Sequence, residues 1–343
     1  MIPVRNIYYM LAYAFRALRT SGFERLGSED FDNSLELCAA ILALAVEQRL
    51  RQGVRCDYLE RREELSVVRG RVDVAESISS GASLRQRLVC VHDVYSEDCT
   101  ENRVAKATMS LLCRSDCVDG TYKRRLRTLL RYLTGVSDID VRHIDWRFVG
   151  ERADHISRLV LFICRLAVEG LLQARSGYGQ NVRGVLDDQT MHRLYEKFIL
   201  EYYRVEHREI STRAAQVPWC VDSGSTALLP VMQTDVMLRV DNRVLIIDAK
   251  YYEHVTRGNF DVRKFHSGNL YQIFSYVKNE QLALPADAPP VAGMLLYAKT
   301  DDDVIPDARF TLSGNPMAVR TLDLSQPFEH IRSQLDAVVG EFF

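Results

Sequence analysis

Three side chains of complementary charge stand close together within residues 228–252. Asp248 and Lys250 follow a run of four apolar residues and lie two positions apart. Because side chains on one face of a β-strand recur every second residue, both project from the same side of that strand. Asp235 lies thirteen positions before Asp248, in an earlier apolar run. The polar connection at 241–243 between the two runs predicts a β-hairpin, which would bring the two carboxylates together at a sheet edge.

This set of charges has a definite chemical use. Two converging carboxylates disfavour each other's ionised form unless a cation lies between them. Mg²⁺ takes one or two carboxylates and keeps several waters, and a metal-bound water can attack a phosphodiester. A neighbouring lysine can orient or deprotonate that water, or stabilise the developing anion. The pattern Asp-x-Lys is common, however, and a strand that ends in charge usually reaches solvent; the buried strand predicted before Asp248 favours the catalytic interpretation.

The elements around this hairpin predict an α/β architecture. A strongly apolar helix is expected over 155–174, followed by a helix over 189–207 that carries Glu196. After the hairpin, a helix over 267–278 carries Gln272, and a strand is expected at 293–297. A further strand and a C-terminal amphipathic helix complete the pattern. Helices alternating with strands predict a mixed sheet flanked by helices.

The first half of the chain predicts an α+β domain. Helices are expected in 2–20, 33–52 and 100–113, with strands between the second and the third. A helix over 121–133 carries five basic residues, which suit either a solvated face or contact with nucleic acid or an acidic partner. Two domains are therefore predicted, 1–152 and 153–343.

Composition excludes several classes of protein. The 343 residues carry a net charge of −2, so DNA binding requires a local cluster of arginines or a partner. Arg69 and Arg71 flank a glycine and could meet a phosphate, although a solvated turn explains them more simply. The eight cysteines form no CxxC pair, which argues against zinc and disulfides and favours the reducing cytoplasm. No stretch of eighteen apolar residues is present, so no membrane span is predicted.

Histidines near the hairpin offer a weaker alternative. His254 and His266 follow the second strand and could supply a further metal ligand. Loop histidines more often form surface hydrogen bonds, which is the interpretation we favour.

Several motifs together extend the argument beyond the charged triplet. They are IPVRNIYYMLAYAF (2–15), RGRV (69–72), SEDCTENRVAKATMSLL (96–112), LYEKFILEYY (194–203), LLPVMQTDV (228–236), VLIIDAKYY (244–252) and KFHSGNLYQIFSYV (264–277). Their order resembles the PD-(D/E)xK nucleases and, over nearly the whole chain, the McrC family of nuclease subunits from McrBC modified-cytosine restriction systems.

This resemblance implies particular roles for particular residues. Asp235 and Asp248 would hold Mg²⁺, Lys250 would act on water, and Gln272 and Glu196 would support the site. Thr234 stands where the motif's name has proline, as it does in McrC relatives.

The resemblance also implies a partner. The family docks on a hexameric AAA+ GTPase of the McrB type, which recognises methylated double-stranded DNA and whose GTP hydrolysis it stimulates. The N-terminal domain, 1–152, would bind that ring, and 153–343 would be the nuclease. Two alternatives remain: a non-catalytic activator of a ring NTPase, and a stand-alone DNA repair nuclease.

Overall fold

The computed structural model describes residues 2–19, 23–146, 153–175, 188–251, 257–259, 262–264, 266–299 and 307–343. The chain forms two compact units. Residues Met1–Leu37 and Leu172–Phe343 form one, here called the sheet unit, and residues Cys38–Leu171 form the other, here called the inserted unit.

Helices and strands alternate along both units. The described helices are α1 (Val4–Ala14), α2 (Ser34–Gln52), α3 (Val74–Ser79), α4 (Thr100–Arg114), α5 (Gly120–Leu130), α6 (His155–Arg175), α7 (Asp188–Glu206), α8 (Ser267–Ala283) and α9 (Phe328–Phe342). The described strands are β1 (Asp57–Leu65), β2 (Arg71–Val72), β3 (Leu88–Ser96), β4 (Ser211–Arg213), β5 (Gln216–Val217), β6 (Met232–Gln233), β7 (Val236–Val240), β8 (Arg243–Lys250), β9 (Arg257–Asn259), β10 (Val262–Lys264), β11 (Ala292–Ala298), β12 (Ala308–Leu312) and β13 (Asn315–Leu322).

The sheet unit contains a mixed six-stranded sheet in the order β12-β13-β11-β8-β7-β4. Strands β8, β11 and β13 run parallel, whereas β7 pairs antiparallel with β8, from Val236 opposite Ile247 to Val240 opposite Arg243. This is the predicted hairpin. Asp241 turns it with a φ of 50°, a left-handed conformation that aspartate tolerates better than most residues. The central strand β8 is buried from Val244 onward, as expected for a parallel strand covered on both faces.

Helix α8 packs closely on this sheet. Its residues Ile273 and Val277 belong to the same buried cluster as Leu295 of β11. A Cβ at Gly293 would come within 2.7 Å of Val277 Cγ2 and 2.9 Å of Met317 Sδ. The missing side chain at this position therefore lets α8 approach β11.

Helix α1 belongs to the sheet unit, which differs from the predicted boundary at 152–153. The ring of Tyr13 contacts the rings of Phe198 on α7 and Phe328 on α9, with centroids 5.7 and 5.8 Å apart. Tyr9 stacks on Phe328 at 4.4 Å. The aromatic stripe at the start of the chain is thus part of the core beside α7.

The inserted unit combines helices with a three-stranded antiparallel sheet in the order β1-β3-β2. Its centre is the middle of α2, where residues Cys38 to Ala43 are completely buried. Buried Glu101 on α4 forms ion pairs with Arg55 at 3.2 Å and Arg49 at 3.9 Å. Among the described residues, no helix has the length and apolar character needed to cross a membrane.

Candidate active site

The end of β8 presents the predicted aspartate and lysine on one face. Lys250 Nζ donates a hydrogen bond to Asp248 Oδ1 at 2.9 Å and lies 2.9 Å from Asp248 Oδ2. The two side chains are 8% and 1% exposed, so this ion pair is almost entirely removed from water. A buried pair of this kind requires further polar partners to offset its desolvation.

Asp235 lies directly before β7 and reaches the same point. Its Oδ2 accepts a hydrogen bond from the backbone N–H of Ala249 at 2.8 Å, between Asp248 and Lys250 in sequence. Thr234 fixes the chain immediately before it, because the Thr234 Oγ1 accepts the Ala215 N–H at 3.0 Å and the Thr234 N–H donates to the Ala215 carbonyl at 2.9 Å. The threonine thus anchors a position where proline could not donate this second bond.

Gln272 connects the lysine to α8. Its Oε1 accepts a hydrogen bond from Lys250 Nζ at 3.3 Å, and its Nε2 donates to the Tyr276 hydroxyl at 2.8 Å. Gln272 and Tyr276 are one helical turn apart, so the amide is held in a fixed orientation. This glutamine therefore helps to position the ammonium group.

Glu196 on α7 approaches from the other side through a histidine that the sequence analysis missed. His192 Nε2 lies 2.9 Å from Glu196 Oε1, and His192 Nδ1 accepts the N–H of Tyr251 at 3.3 Å. Because Nδ1 accepts, Nε2 carries the proton that faces Glu196. The only signal in the sequence was the i, i+4 spacing of His192 and Glu196 on one helix.

The electrostatics of the cluster favour a cation. Burial, together with the charges of Asp248 and Glu196, raises the pKa of Asp235 to about 8. Burial also raises the pKa of Asp248, while Lys250 acts in the opposite direction. Asp248 Oδ2 is buried, and its ion-pair partner is the Lys250 ammonium 2.9 Å away. One ammonium is thus outnumbered by three nearby carboxyl groups, an imbalance that a divalent ion would correct.

The donors fit Mg²⁺ better than zinc. They are carboxylate oxygens, the ligands that Mg²⁺ prefers, and a Mg²⁺ site needs only one or two of them plus waters. In the described residues, no group of three His, Cys, Asp or Glu side chains is arranged to hold a metal ion, so waters would have to complete the coordination of an ion held by two carboxylates. Asp235 and Asp248 are therefore the residues that would hold the ion.

His254 lies outside the described residues, and His266 is partly buried directly before α8. The surface hydrogen-bonding role favoured for both histidines stays a prediction.

Comparison with known proteins agrees with the resemblance drawn from the sequence. The family model of the McrBC 5-methylcytosine restriction system component matches residues 4–298. The chain belongs to this family. It is 28% identical to the type IV methyl-directed restriction enzyme EcoKMcrBC of Escherichia coli (strain K12), over 100% of the chain and 98% of that protein. The McrBC match spans both units, so the inserted unit is part of the family's pattern.

Two solved structures are also similar to the chain. One is a half-complex from a tetradecameric assembly of Thermococcus gammatolerans McrB AAA+ hexamers with bound McrC, at 18% identity and a TM-score of 0.46, covering 98% of this chain and 76% of that chain. The other is the Thermococcus gammatolerans McrBC complex, at 20% identity and a TM-score of 0.42, covering 60% of this chain and 58% of that chain.

Proposed function

We propose that this McrBC family chain is the Mg²⁺-dependent DNA endonuclease subunit of a modified-cytosine restriction system. The observation that supports it is the meeting of Asp235, Asp248 and Lys250 at the end of β8. A purely structural role would not explain why a central strand ends in charged groups that are nearly inaccessible to water.

Each residue has a distinct task in this proposal. Asp235 and Asp248 hold the ion, which when bound supplies positive charge for a phosphate oxygen and acidifies a water. Lys250 opposes the rise that burial causes in the pKa of Asp248, through its hydrogen bond at 2.9 Å, and presents its remaining N–H groups to the attacking water or the developing anion. Gln272 orients the ammonium, and His192 orients the carboxylate of Glu196.

The partner follows from the family. The half-complex from Thermococcus gammatolerans contains McrB AAA+ hexamers with bound McrC. We propose that this chain likewise docks on a hexameric AAA+ GTPase through the inserted unit, Cys38–Leu171, stimulates its GTP hydrolysis and cuts methylated double-stranded DNA that the ring delivers. A chain of net charge −2 is compatible with this division of labour, because the partner captures the DNA.

The decisive experiment is a cleavage assay with the chain, its GTPase partner, GTP, Mg²⁺ and either methylated or unmethylated DNA. Asp248→Asn should abolish cleavage and leave partner binding and GTPase stimulation unchanged. Asp241→Asn is the matched control: the same chemical change at the exposed turn of the same hairpin, where asparagine suits the positive φ. Retained cleavage by Asp248→Asn would refute the catalytic assignment.

The alternatives predict other results. A non-catalytic activator would take up no Mg²⁺ or Mn²⁺ at this cluster, so a titration of the wild type against Asp248→Asn would give identical curves. A stand-alone nuclease would cut DNA without the GTPase.

A further inference from the structure

A stripe of cations runs along the exposed face of α5. Arg124, Arg127 and Arg131 are exposed and recur at positions i, i+3 and i+7, which places them on one side of the helix and its short 3₁₀ continuation. Leu126 and Leu129 are buried on the opposite side. The arginines extend along roughly 10 Å of the helix axis. We call these three residues the basic stripe.

Among the described residues, the basic stripe has no carboxylate partners. Across the described ranges of the chain, no Asp or Glu oxygen lies within 4.0 Å of a nitrogen of Arg124, Arg127 or Arg131. The neighbouring Arg125 points elsewhere and forms an ion pair with Glu47. The three guanidinium groups are therefore not neutralised by a carboxylate of the described residues, and Arg124 only donates to the Thr121 hydroxyl at 3.3 Å.

Two further cations extend this positive region to the end of α4. Burial raises the pKa of the Cys113 thiol, and the charges of Arg127, Lys123 and Arg114 act against that rise. These three cations therefore lie around one point, where Cys113 Sγ donates to the Lys123 carbonyl at 3.6 Å. The nearby Asp119 is engaged as the N-cap of α5, since its Oδ1 accepts the Thr121 N–H at 2.7 Å.

The chemistry of this face suits a polyanion better than a protein. Residues 114–131 hold six cations and two carboxylates in a chain whose net charge is −2, so the positive charge is local. Protein interfaces usually centre on buried apolar and aromatic side chains and are depleted in charge at that centre. Here the residues between the arginines on the exposed face are polar, and the one large exposed apolar side chain beside the stripe within α5 and its 3₁₀ turn is Tyr132, at its end. A nucleic-acid backbone needs only regularly spaced cations.

We propose that the basic stripe of α5 binds the phosphate backbone of duplex DNA, as a contact separate from the candidate active site. The choice of DNA among polyanions rests on the proposed function. Guanidinium groups suit this role because their planar donors match phosphate oxygens in pairs. Such contacts position a duplex without reading its sequence.

The test measures binding of a fluorescently labelled duplex to the full chain by anisotropy, in EDTA, over a series of salt concentrations. The stripe variant carries Arg124→Gln, Arg127→Gln and Arg131→Gln. The control variant carries Arg51→Gln, Arg61→Gln and Arg87→Gln, exposed arginines of the same inserted unit, so both lose the same charge. Glutamine has a helix propensity close to that of arginine, so α5 should persist.

Loss of three phosphate contacts should weaken binding roughly tenfold or more at low salt and reduce the slope of log K against log salt by about 2.7. The dissociation constant of the control variant should stay within about twofold of the wild-type value, because its substitutions remove only a nonspecific charge effect. Three outcomes would overturn the proposal: no binding by the wild type, equal losses in both variants, or unchanged DNA binding by a stripe variant that no longer associates with the GTPase. The last outcome would identify an acidic protein surface as the occupant.

This experiment is independent of catalysis. Because EDTA prevents cleavage, a nuclease that fails the Asp248→Asn test could still bind DNA through the stripe. Conversely, a stripe that binds nothing leaves the assignment of Asp235, Asp248 and Lys250 untouched.

Discussion

Replacing Asp235 by asparagine should stabilise the metal-free protein, and increasingly so as the pH rises. The wild-type carboxyl is partly buried beside Asp248 and Glu196, and its pKa is raised from 3.8 to about 8. Asparagine resembles the protonated acid in size, and its Oδ1 can still accept the Ala249 N–H that Asp235 accepts at 2.8 Å. The substitution therefore removes a buried charge while it keeps the hydrogen bond.

The sign and size of the effect follow from proton linkage. Between pH 4 and pH 8 the folded wild type retains a proton that the unfolded chain has lost, so its free energy of unfolding falls as the pH rises. The stability that Asp235 contributes is fully present below its pKa in the unfolded chain. It is lost as the pH rises toward the pKa of Asp235 in the folded protein. One linked proton corresponds to about 1.4 kcal/mol per pH unit, so the variant should gain about 3 kcal/mol over the wild type between pH 5 and pH 7. That difference corresponds to roughly 4 °C in the unfolding midpoint, because an unfolding entropy of about 2.1 cal/mol/K per residue gives about 0.7 kcal/mol/K for the 343-residue chain.

The assay is urea unfolding in EDTA at several pH values, with the wild type, Asp235→Asn and the exposed control Asp241→Asn. Plotted against pH, the free energies of unfolding of Asp235→Asn and the wild type should converge near pH 4 and separate above it. The control should follow the wild type. Mg²⁺ at pH 8 should restore stability to the wild type, by about 2.7 kcal/mol at one hundred times its dissociation constant, and much less to Asp235→Asn. If the free energies of unfolding of the wild type and Asp235→Asn differ by the same amount at every pH, then burial and the neighbouring carboxylates do not keep Asp235 protonated in the folded protein.

Other substitutions test the neighbouring contacts. Lys250→Met should abolish cleavage and lower stability by about 3–5 kcal/mol above neutral pH, because Asp248 would be left as an unpaired buried charge. Urea unfolding of this variant at pH 6 and pH 8 checks the loss of stability. Equal stability of the variant at both pH values would contradict this prediction. Thr234→Val keeps the shape but loses two side-chain hydrogen bonds with Ala215, so a cost of about 1–3 kcal/mol is expected, with Thr234→Ser as the rescue control. Gly293→Ala should cost about 1–3 kcal/mol by forcing α8 away from β11, and a wild-type melting temperature would show that the helix can move freely.

Local spacing was sufficient to predict the part of the site that lies on one hairpin. The two-residue interval between Asp248 and Lys250 fixes their common face whatever surrounds the strand. The polar turn at 241–243 fixes the pairing of β7 with β8, which then places Asp235 beside Ala249. The bounds of the long helices also agree closely, with 189–207 predicted and Asp188–Glu206 observed for α7.

Contacts that depend on packing between distant segments were not predictable in this way. The role of His192 requires α7 to lie beside the end of β8, so that its Nδ1 meets the Tyr251 N–H. The role of Thr234 requires residue 215 to pair beside it. The aromatic stripe of α1 has the same periodicity whichever unit it packs against, so its place beside Phe198 and Phe328 could not be read from residues 2–15 alone.

The arrangement of the site accounts for the proposed dependence on a metal. Burial raises the pKa of both aspartates, the charge of Glu196 adds to that rise, and Lys250 alone does not offset it. A protonated aspartate is a poor ligand, so metal binding at pH 7 must release protons, and affinity should increase up to about pH 8. The same desolvation that destabilises the metal-free fold thereby gives the ion its affinity. An uncharged replacement at Asp235 separates these two effects, since it stabilises the metal-free fold and removes the reason for a cation to bind.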